Sequence, residues 1–189
     1  MTHYRKLVGE KCYLSPVALE DAEAWARWFN DLDVALPLGD EAYLTMGLER
    51  LRADADHVVR NGEHVFSILD LATDTLIGRG LLFSVNAVDR NAMLGLVIGE
   101  KQYWGQGYGL DATRLLLEVG FSLLNLHSIM LGAFAFNQRA LNCYRRAGFK
   151  EIGRRRQARL IGGVAYDAVL MDILAEEFSG GRLTPPAAG

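Results

Sequence analysis

Residues 103–110 read Tyr-Trp-Gly-Gln-Gly-Tyr-Gly-Leu, and this glycine-rich segment decides the fold. The apolar run before it, Leu-Gly-Leu-Val-Ile at residues 94–98, predicts a buried strand. Apolar residues recur at helical spacing after it, which predicts a helix that begins at about Tyr108 and runs to Leu124. A strand that turns through three glycines into a helix presents free backbone N–H groups and the positive end of the helix dipole at one point. The segment therefore predicts a phosphate-binding site.

The order of the glycines excludes two common kinds of nucleotide site. Gly105-Gln106-Gly107-Tyr108-Gly109 does not meet the G-x-G-x-x-G spacing of the Rossmann fold. No Gly-Lys-Ser/Thr follows, so the segment is not a P-loop either. The phosphate is therefore not expected to belong to a dinucleotide or to a nucleoside triphosphate.

Composition predicts one globular domain. The chain has 189 residues, of which 50% are hydrophobic and 23% charged, with a net charge of −3. This balance gives no general attraction to nucleic acid or to an anionic membrane. Cys12 and Cys143 fit no metal or redox spacing, and no segment reads as a signal peptide or a membrane span. We therefore expect a cytoplasmic protein without a metal, folded over residues 1–178, with a disordered tail at residues 179–189.

Strands dominate the predicted elements, and the helices come in two groups. Strands are predicted at residues 11–17, 64–69, 75–85, 92–98, 128–136, 149–160 and 164–173. Helices are predicted at residues 19–29, 41–59, 108–124 and 137–147, with a loop at residues 30–40. This order favours an α/β or α+β fold with a single sheet over a doubly wound fold.

A second group of informative residues lies one helix beyond the glycines. Asn137 stands where a strand becomes a helix, so it can cap that helix or hold a ligand. Tyr144 lies two helical turns further on the same face, and Gly148-Phe149 turns the chain into the next strand. Taken alone, Asn137 is more simply a helix cap and Tyr144 a core residue.

Together the two segments resemble the GNAT acyltransferases, the superfamily of acetyl-CoA-dependent N-acetyltransferases. Residues 103–109 are similar to the pyrophosphate loop, and Asn137…Ala140…Tyr144…Gly148-Phe149 is similar to the Asn-x-x-Ala…Tyr…Gly-Phe segment. Further matches at residues 125–127 and 163–171 point to the branch of the ribosomal-protein N-terminal and spermidine acetyltransferases. The resemblance covers roughly residues 14–174.

The resemblance implies a fold and a cofactor site. It implies a single GNAT-type domain with a mixed, mostly antiparallel sheet that splays between strands 94–98 and 128–136 and is flanked by helices. The pantetheine arm of acetyl-CoA would lie in the split and pair with backbone near Val97 and Ile98. Asn137 would hydrogen-bond the pantetheine, and Tyr144 would act as the general acid for the CoA thiolate. The pyrophosphate would lie on the backbone amides of Trp104, Gly105, Gln106, Gly107, Tyr108 and Gly109.

Two positions depart from the family pattern. Trp104 stands where many members carry Gln or Arg, which leaves binding through backbone amides intact. Met93 stands where members of this branch often carry a glutamate that acts as a base. Since methionine cannot take a proton, the base must come from elsewhere, or the amine must arrive neutral.

The leading hypothesis is an enzyme that moves an acetyl group from acetyl-CoA to a primary amine by direct attack. The amine could belong to a protein N-terminus, a polyamine or a small molecule, and the sequence leaves these open. The rival is a non-catalytic acyl-CoA-binding regulatory domain, which Met93 makes more plausible, and a purely structural protein comes third. Relatives are often dimers, so a homodimer paired through the last strands stays open, although no apolar stripe demands it.

Several other residues allow two interpretations. Asp31, Asp33, Asp40 and Glu41 either hold a cationic amine or serve as helix caps. His64 and His127 are expected to be surface or packing residues rather than bases. The arginine-rich run at residues 154–159 is expected to be a solvated strand face rather than an anion site.

Overall fold

The computed structural model describes residues 3–180, so residues 181–189 of the predicted tail lie outside the described part. Its centre is one eight-stranded sheet with the strand order β1-β2-β3-β4-β5-β6-β8-β7. Every neighbouring pair is antiparallel except β5 and β6, which run parallel. The strands are β1 (Leu7–Val8), β2 (Cys12–Pro16), β3 (Val65–Asp70), β4 (Leu76–Asn86), β5 (Asn91–Ile98), β6 (Ser128–Phe134), β7 (Lys150–Ile161) and β8 (Val164–Leu174).

Five α-helices accompany this sheet in the described part of the chain. They are α1 (Asp21–Phe29), α2 (Leu32–Ala35), α3 (Leu48–Asn61), α4 (Tyr108–Glu118) and α5 (Gln138–Ala147). Short 3₁₀ turns lie at Glu41–Tyr43, Lys101–Tyr103 and Ala175–Glu177. Among residues 3–180 no helix is both long and apolar enough to cross a bilayer.

The helices cover the two faces of the sheet and make two hydrophobic cores. Along β5, Leu94 and Leu96 pack into the core under α4 and α5, whereas Val97 packs against the core of α1 and α3. Because neighbouring strand residues point to opposite faces, the two helix pairs lie on opposite sides. Trp25 and Trp28 of α1 are buried. The ring of Trp28 packs so tightly on the backbone of Gly99 that a Cβ added there would lie 2.0 Å from the ring.

The predicted helix at residues 41–59 is two elements. A 3₁₀ turn covers Glu41–Tyr43, and α3 begins only after an extended segment, with Gly47 as its N-cap residue. The carbonyl of Met46 accepts a hydrogen bond from the Asn30 side chain at 2.8 Å, and this contact holds the interrupting segment against the end of α1. The predicted loop at residues 30–40 likewise contains α2, which the Asp31 side chain caps by accepting from the Asp33 amide at 3.0 Å.

The helix after the glycine segment also differs at its end. Regular α-helix stops at Glu118, and residues 119–123 form a π-helical turn, with Leu124 N–H donating to the carbonyl of Val119. At Gly120 a Cβ would lie 2.4 Å from the Ile129 side chain, so the turn brings the backbone close to β6. Sequence periodicity does not separate such a π turn from α-helix.

The prediction of a solvated face for residues 154–159 is wrong at its last residue. Arg154, Arg155 and Arg156 are exposed, but Arg159 is only 5% exposed. The pairing of β7 with β8 shifts register between Arg155 and Arg159, and Gln157 within this bulge has a φ of 49°. The bulge turns Arg159 inward, where its guanidinium donates to the carbonyls of Leu36 and Leu38 at 3.0 and 3.2 Å.

Candidate active site

The centre of the sheet is split. Strands β5 and β6 pair only over Asn91–Met93 and Ser128–Met130, and then diverge. Beyond those three rungs, β5 continues to Ile98 and β6 continues to Phe134 without a shared ladder. The edges of both strands that face the split therefore have backbone groups that no neighbouring strand pairs.

The glycine segment closes one end of this split. Gly105 and Gly107 have φ values of 74° and 93°, which a residue with a Cβ adopts only with strain. Gly107 is the N-cap residue of α4, so the helix begins at Tyr108 as the sequence predicts. The first N–H groups of α4 have no partner within the helix and lie at the positive end of its dipole.

Two side chains anchor this helix start. The carboxylate of Asp111 accepts from the backbone N–H groups of Lys11 and Cys12 at 2.8 and 3.0 Å, which ties α4 to the β1–β2 turn. The hydroxyl of Tyr108 donates to the Asp70 carboxylate at 2.7 Å, and this hydrogen bond, together with burial, raises the pKa of Tyr108 to about 12. Neither side chain is free for chemistry.

The side chain of Trp104 contacts both the end of β5 and the first turn of α5. Its indole N–H donates to the carbonyl of Ile98 at 2.6 Å. The guanidinium of Arg139, in the first turn of α5, lies 3.6 Å from the centre of the tryptophan ring. Trp104 therefore links the end of β5 to the start of α5, a role beyond the backbone amide that the sequence assigned to it.

A cavity of about 320 Å³ lies between the start of α4 and one face of α5, and we call it the basic cavity. Arg139 and Arg146 line it, and none of the described residues in its wall is acidic. Eight of the ten predicted site residues line it: Val97, Ile98, Trp104, Gly105, Gly107, Gly109, Asn137 and Tyr144. The side chains of the other two, Gln106 and Tyr108, point elsewhere, to the Gln102 carbonyl and to Asp70.

Asn137 is the N-cap residue of α5. Its Oδ1 accepts from the Ala140 N–H at 3.2 Å, as the capping interpretation requires. Its Nδ2 group donates to none of the described residues, so it is available to a ligand in the cavity. The capping and ligand-binding interpretations of this residue are therefore compatible.

Tyr144 lies on the same face of α5 as Asn137 and is 7% exposed. Its ring packs edge-on against Phe149, and its hydroxyl donates to no group among residues 3–180. Burial, with a smaller contribution from Cys143, raises the pKa of Tyr144 well above its ordinary value. The hydroxyl therefore keeps its proton at neutral and moderately alkaline pH.

A second cavity of about 470 Å³ lies toward α1 and the residue 37–41 segment, and we call it the mixed-charge cavity. Tyr144, Asn137, Leu96 and Val97 line both cavities, so the two meet where β5 and β6 diverge. The wall of the second cavity is mostly apolar and includes Phe29, Phe83, Met93 and Phe134. Within the described chain, its charged lining residues are Glu41 and Arg79 alone.

Of the four acidic residues that allowed two interpretations, Glu41 alone lines a cavity. Asp31 and Asp33 pair with Lys101 at 2.7 and 3.0 Å, and the hydrogen bond from Lys101 lowers the pKa of Asp31. Asp40 precedes the 3₁₀ turn and is exposed. His64 and His127 line neither cavity.

Sequence reasoning missed three arginines of these cavities. Arg139 and Arg146 lie two turns apart on α5, on the face that carries Cys143, and this helical spacing was visible in the sequence. Arg79 lies on β4 between two glycines, and no local pattern distinguishes it from a surface residue. Its position in a cavity follows only from the packing of α1 and the residue 37–41 segment on the sheet.

Comparison with known proteins agrees with this architecture. A sequence model of the acetyltransferase (GNAT) domain matches residues 11–150. The chain is 23% identical over 176 residues to the uncharacterized N-acetyltransferase p20 of Bacillus licheniformis, which covers 92% of this chain and 98% of that protein. It is 30% identical over 122 residues to the spermidine N(1)-acetyltransferase of Vibrio cholerae, over 65% of this chain and 69% of that one.

A solved structure shares the fold. The Vibrio cholerae spermidine N-acetyltransferase in complex with CoA and spermine superposes with a TM-score of 0.78 at 25% identity, over 88% of this chain and 96% of that one. The chain therefore belongs to the GNAT acetyltransferase family, enzymes that take the acetyl group from acetyl-CoA. The predictions of family, fold class, enzyme class and co-substrate are confirmed.

The residues of the basic cavity fit acetyl-CoA. Its arginines and the start of α4 offer positive charge and backbone N–H groups to phosphates. Gly105 and Gly107 have backbone conformations that favour glycine, and as glycines they leave this part of the surface without side chains. The unpaired edge of β5 and the free Nδ2 of Asn137 suit an extended amide-bearing arm.

Proposed function

We propose that this protein transfers an acetyl group from acetyl-CoA to a primary amine held in the mixed-charge cavity. One observation carries the proposal: the basic cavity and the mixed-charge cavity meet at Tyr144 and Asn137. A donor in the first cavity and an acceptor in the second would therefore face each other, and such positioning supplies much of the rate of acyl transfer. We assign this activity to a domain of residues 1–178.

The proposed site divides the work among few residues. Acetyl-CoA supplies the activated acetyl group; the amides of residues 104–109, Arg139 and Arg146 bind its phosphates, and Asn137 and the β5 edge near Val97 and Ile98 hold its arm. A backbone N–H near Ile98 stabilises the developing oxyanion. Tyr144 donates its proton to the departing thiolate, because its raised pKa keeps the hydroxyl protonated until the thiolate departs.

Glu41 is the proposed partner of the amine. It is the one carboxylate that lines either cavity among residues 3–180, and its Oε2 is buried without a hydrogen-bond donor. Met93 lies in the wall of the same cavity and cannot accept a proton. We therefore assign to Glu41 the removal of the amine proton, directly or through water.

The test is the release of free CoA from acetyl-CoA across a panel of primary amines, with the acetylated product identified by mass. The panel includes a polyamine, a peptide with a free N-terminus and amino acids. We expect at least one amine to raise CoA release at least tenfold above hydrolysis. If the protein binds CoA but no amine raises the rate at which CoA is released from acetyl-CoA, the hypothesis of a non-catalytic acyl-CoA-binding domain replaces that of an enzyme.

We keep the reducing cytoplasm as the proposed compartment. Cys12 is buried and Cys143 is partly buried, and both are free thiols. Burial raises the pKa of each thiol, so neither is activated for exchange.

A further inference from the structure

Arg79 is a partly buried cation that has no hydrogen-bond partner among residues 3–180. It projects from β4 into the mixed-charge cavity, and its guanidinium stacks on the ring of Trp25 at 4.3 Å. Its Nε is fully buried, yet no group among residues 3–180 accepts a hydrogen bond from any of its nitrogens and no carboxylate lies within ion-pair distance. Burial lowers the pKa of Arg79, and the nearby charges of Asp54, Glu41 and Glu63 oppose that shift.

The buried Nε–H without an acceptor is unfavourable in the protein alone. A guanidinium has five N–H donors, stays charged in proteins, and is normally paired with an acceptor when it is buried. The stacking contact with Trp25 orients its plane but satisfies none of the donors. Cavity walls that leave these donors open are suited to an acceptor supplied by a ligand.

Glu41 supplies the opposite charge in the same cavity. Its Oε2 is buried and unpaired, and it lines the same cavity as Arg79. Because the two side chains do not form an ion pair with each other, each is free to meet a separate charge on one ligand. The formal charges of Glu41 and Arg79, the charged lining residues of the described cavity, then sum to zero.

A polyamine fits this charge pattern poorly. Its several ammonium groups would lie beside an unpaired guanidinium, with Glu41 as the one carboxylate of the described wall. A molecule with one ammonium and one carboxylate would pair with both, and a guanidinium binds carboxylates in a bidentate geometry. The cavity volume of about 470 Å³ also suits a small molecule.

We propose that the acceptor of this enzyme is a small amine that also carries a carboxylate, an amino-acid-like zwitterion, with Arg79 binding the carboxylate and Glu41 facing the amine. The inference rests on the proposed acetyl transfer. It adds a residue that selects the acceptor, and it separates this chain from relatives that are named for spermidine.

The test compares each amino acid with its own carboxamide. The panel contains the common L-amino acids, 4-aminobutyrate, the matching carboxamides and spermidine, each assayed by CoA release and by calorimetric titration into the protein saturated with CoA. For the best acceptor we expect the carboxylate to exceed its carboxamide by about 10- to 100-fold in kcat/KM and in affinity. Spermidine is expected to rank below it.

Two variants connect the preference to the side chain. In Arg79→Gln the preference falls to within about threefold, because the carboxamide is bound as before and the carboxylate loses its partner. Arg79→Lys keeps the positive charge but lacks the paired N–H groups of a guanidinium, and it should therefore show a preference for the carboxylate between those of wild type and Arg79→Gln. Arg155→Gln removes an exposed arginine of β7 and is the matched control, with the preference unchanged.

The outcomes separate this inference from the proposed function. If spermidine or the carboxamides are the best ligands, if nothing in the panel binds, or if Arg79→Gln keeps the full preference, the inference is overturned. If amines are acetylated without regard to a carboxylate, the inference fails and the acetyltransferase stands. If carboxylates bind with the expected preference and no compound raises CoA release, the acetyltransferase fails and the binding role of Arg79 stands.

Discussion

Replacement of Tyr144 by phenylalanine tests the proposed general acid directly. The substitution keeps the ring, and with it the edge-on contact to Phe149. The hydroxyl donates to no group among residues 3–180, so its loss leaves no partner unsatisfied, and the free energy of unfolding should change by less than about 1 kcal/mol. If the hydroxyl supplies the proton to the thiolate, kcat should fall about 10²- to 10⁴-fold, which corresponds to roughly 3–5 kcal/mol of barrier.

The assay is steady-state CoA release with the best amine of the panel, beside thermal unfolding and calorimetric CoA binding. Because burial raises the pKa of Tyr144, the wild-type kcat should show no alkaline decline from this group below about pH 10. Tyr13→Phe is the control, since it removes the hydroxyl of another buried tyrosine, bound to Asp74 at 2.9 Å and outside both cavities. An unchanged kcat in Tyr144→Phe, or a loss of kcat that merely follows a loss of CoA affinity, would refute the assignment.

Three further substitutions separate roles that share a residue or an element. Asn137→Ala should lower the free energy of unfolding, measured by urea unfolding, by about 1 kcal/mol and should also weaken CoA binding. Asn137→Asp should recover the stability but not the affinity for CoA, because aspartate keeps the cap acceptor and lacks the Nδ2 donor. Recovery of both the stability and the affinity in Asn137→Asp would contradict the two roles. Tyr108→Phe should cost about 1 kcal/mol at pH 8. Since the folded pKa of about 12 exceeds the unfolded value near 10, that stabilisation is complete below about pH 10 and is lost as the pH rises, so the urea-unfolding difference between the two proteins should narrow above pH 10; a constant difference would count against the Asp70 hydrogen bond. Arg159→Met should cost roughly 2 kcal/mol and speed proteolysis within residues 36–44, whereas Arg155→Met should change stability by less than about 0.5 kcal/mol; equal effects in the two variants would remove the anchoring role.

The sequence predicted the parts of this protein that depend on local backbone chemistry. Glycines with positive φ, a helix that begins after them and a capping asparagine are recognisable from residue type and spacing, and the turn at Gly148 was predicted for the same reason. The residues of the proposed acetyl-CoA site could therefore largely be predicted from the sequence.

The proposed acceptor site depends on contacts between distant segments, and the sequence left its residues open. Glu41 was one of four acidic residues with the same two interpretations, and only the packing of its 3₁₀ turn distinguishes it. Arg79 gave no signal, because its burial comes from α1 and the residue 37–41 segment. Arg159 was misassigned, since a bulge in β7 changes which face a residue occupies.

The split between β5 and β6 has a consequence for aggregation. Unpaired strand edges can recruit other chains, and proteins protect them by keeping them short, charged or bulged. The outer edges of this sheet are protected in these ways: β1 has two residues, and β7 carries exposed arginines and a bulge. The long unpaired edge of β5 instead faces the split inside the sheet, where the neighbouring strand β6 and not the outer surface lies beside it. We therefore expect this edge to contribute less to aggregation than an equally long edge at the margin of the sheet.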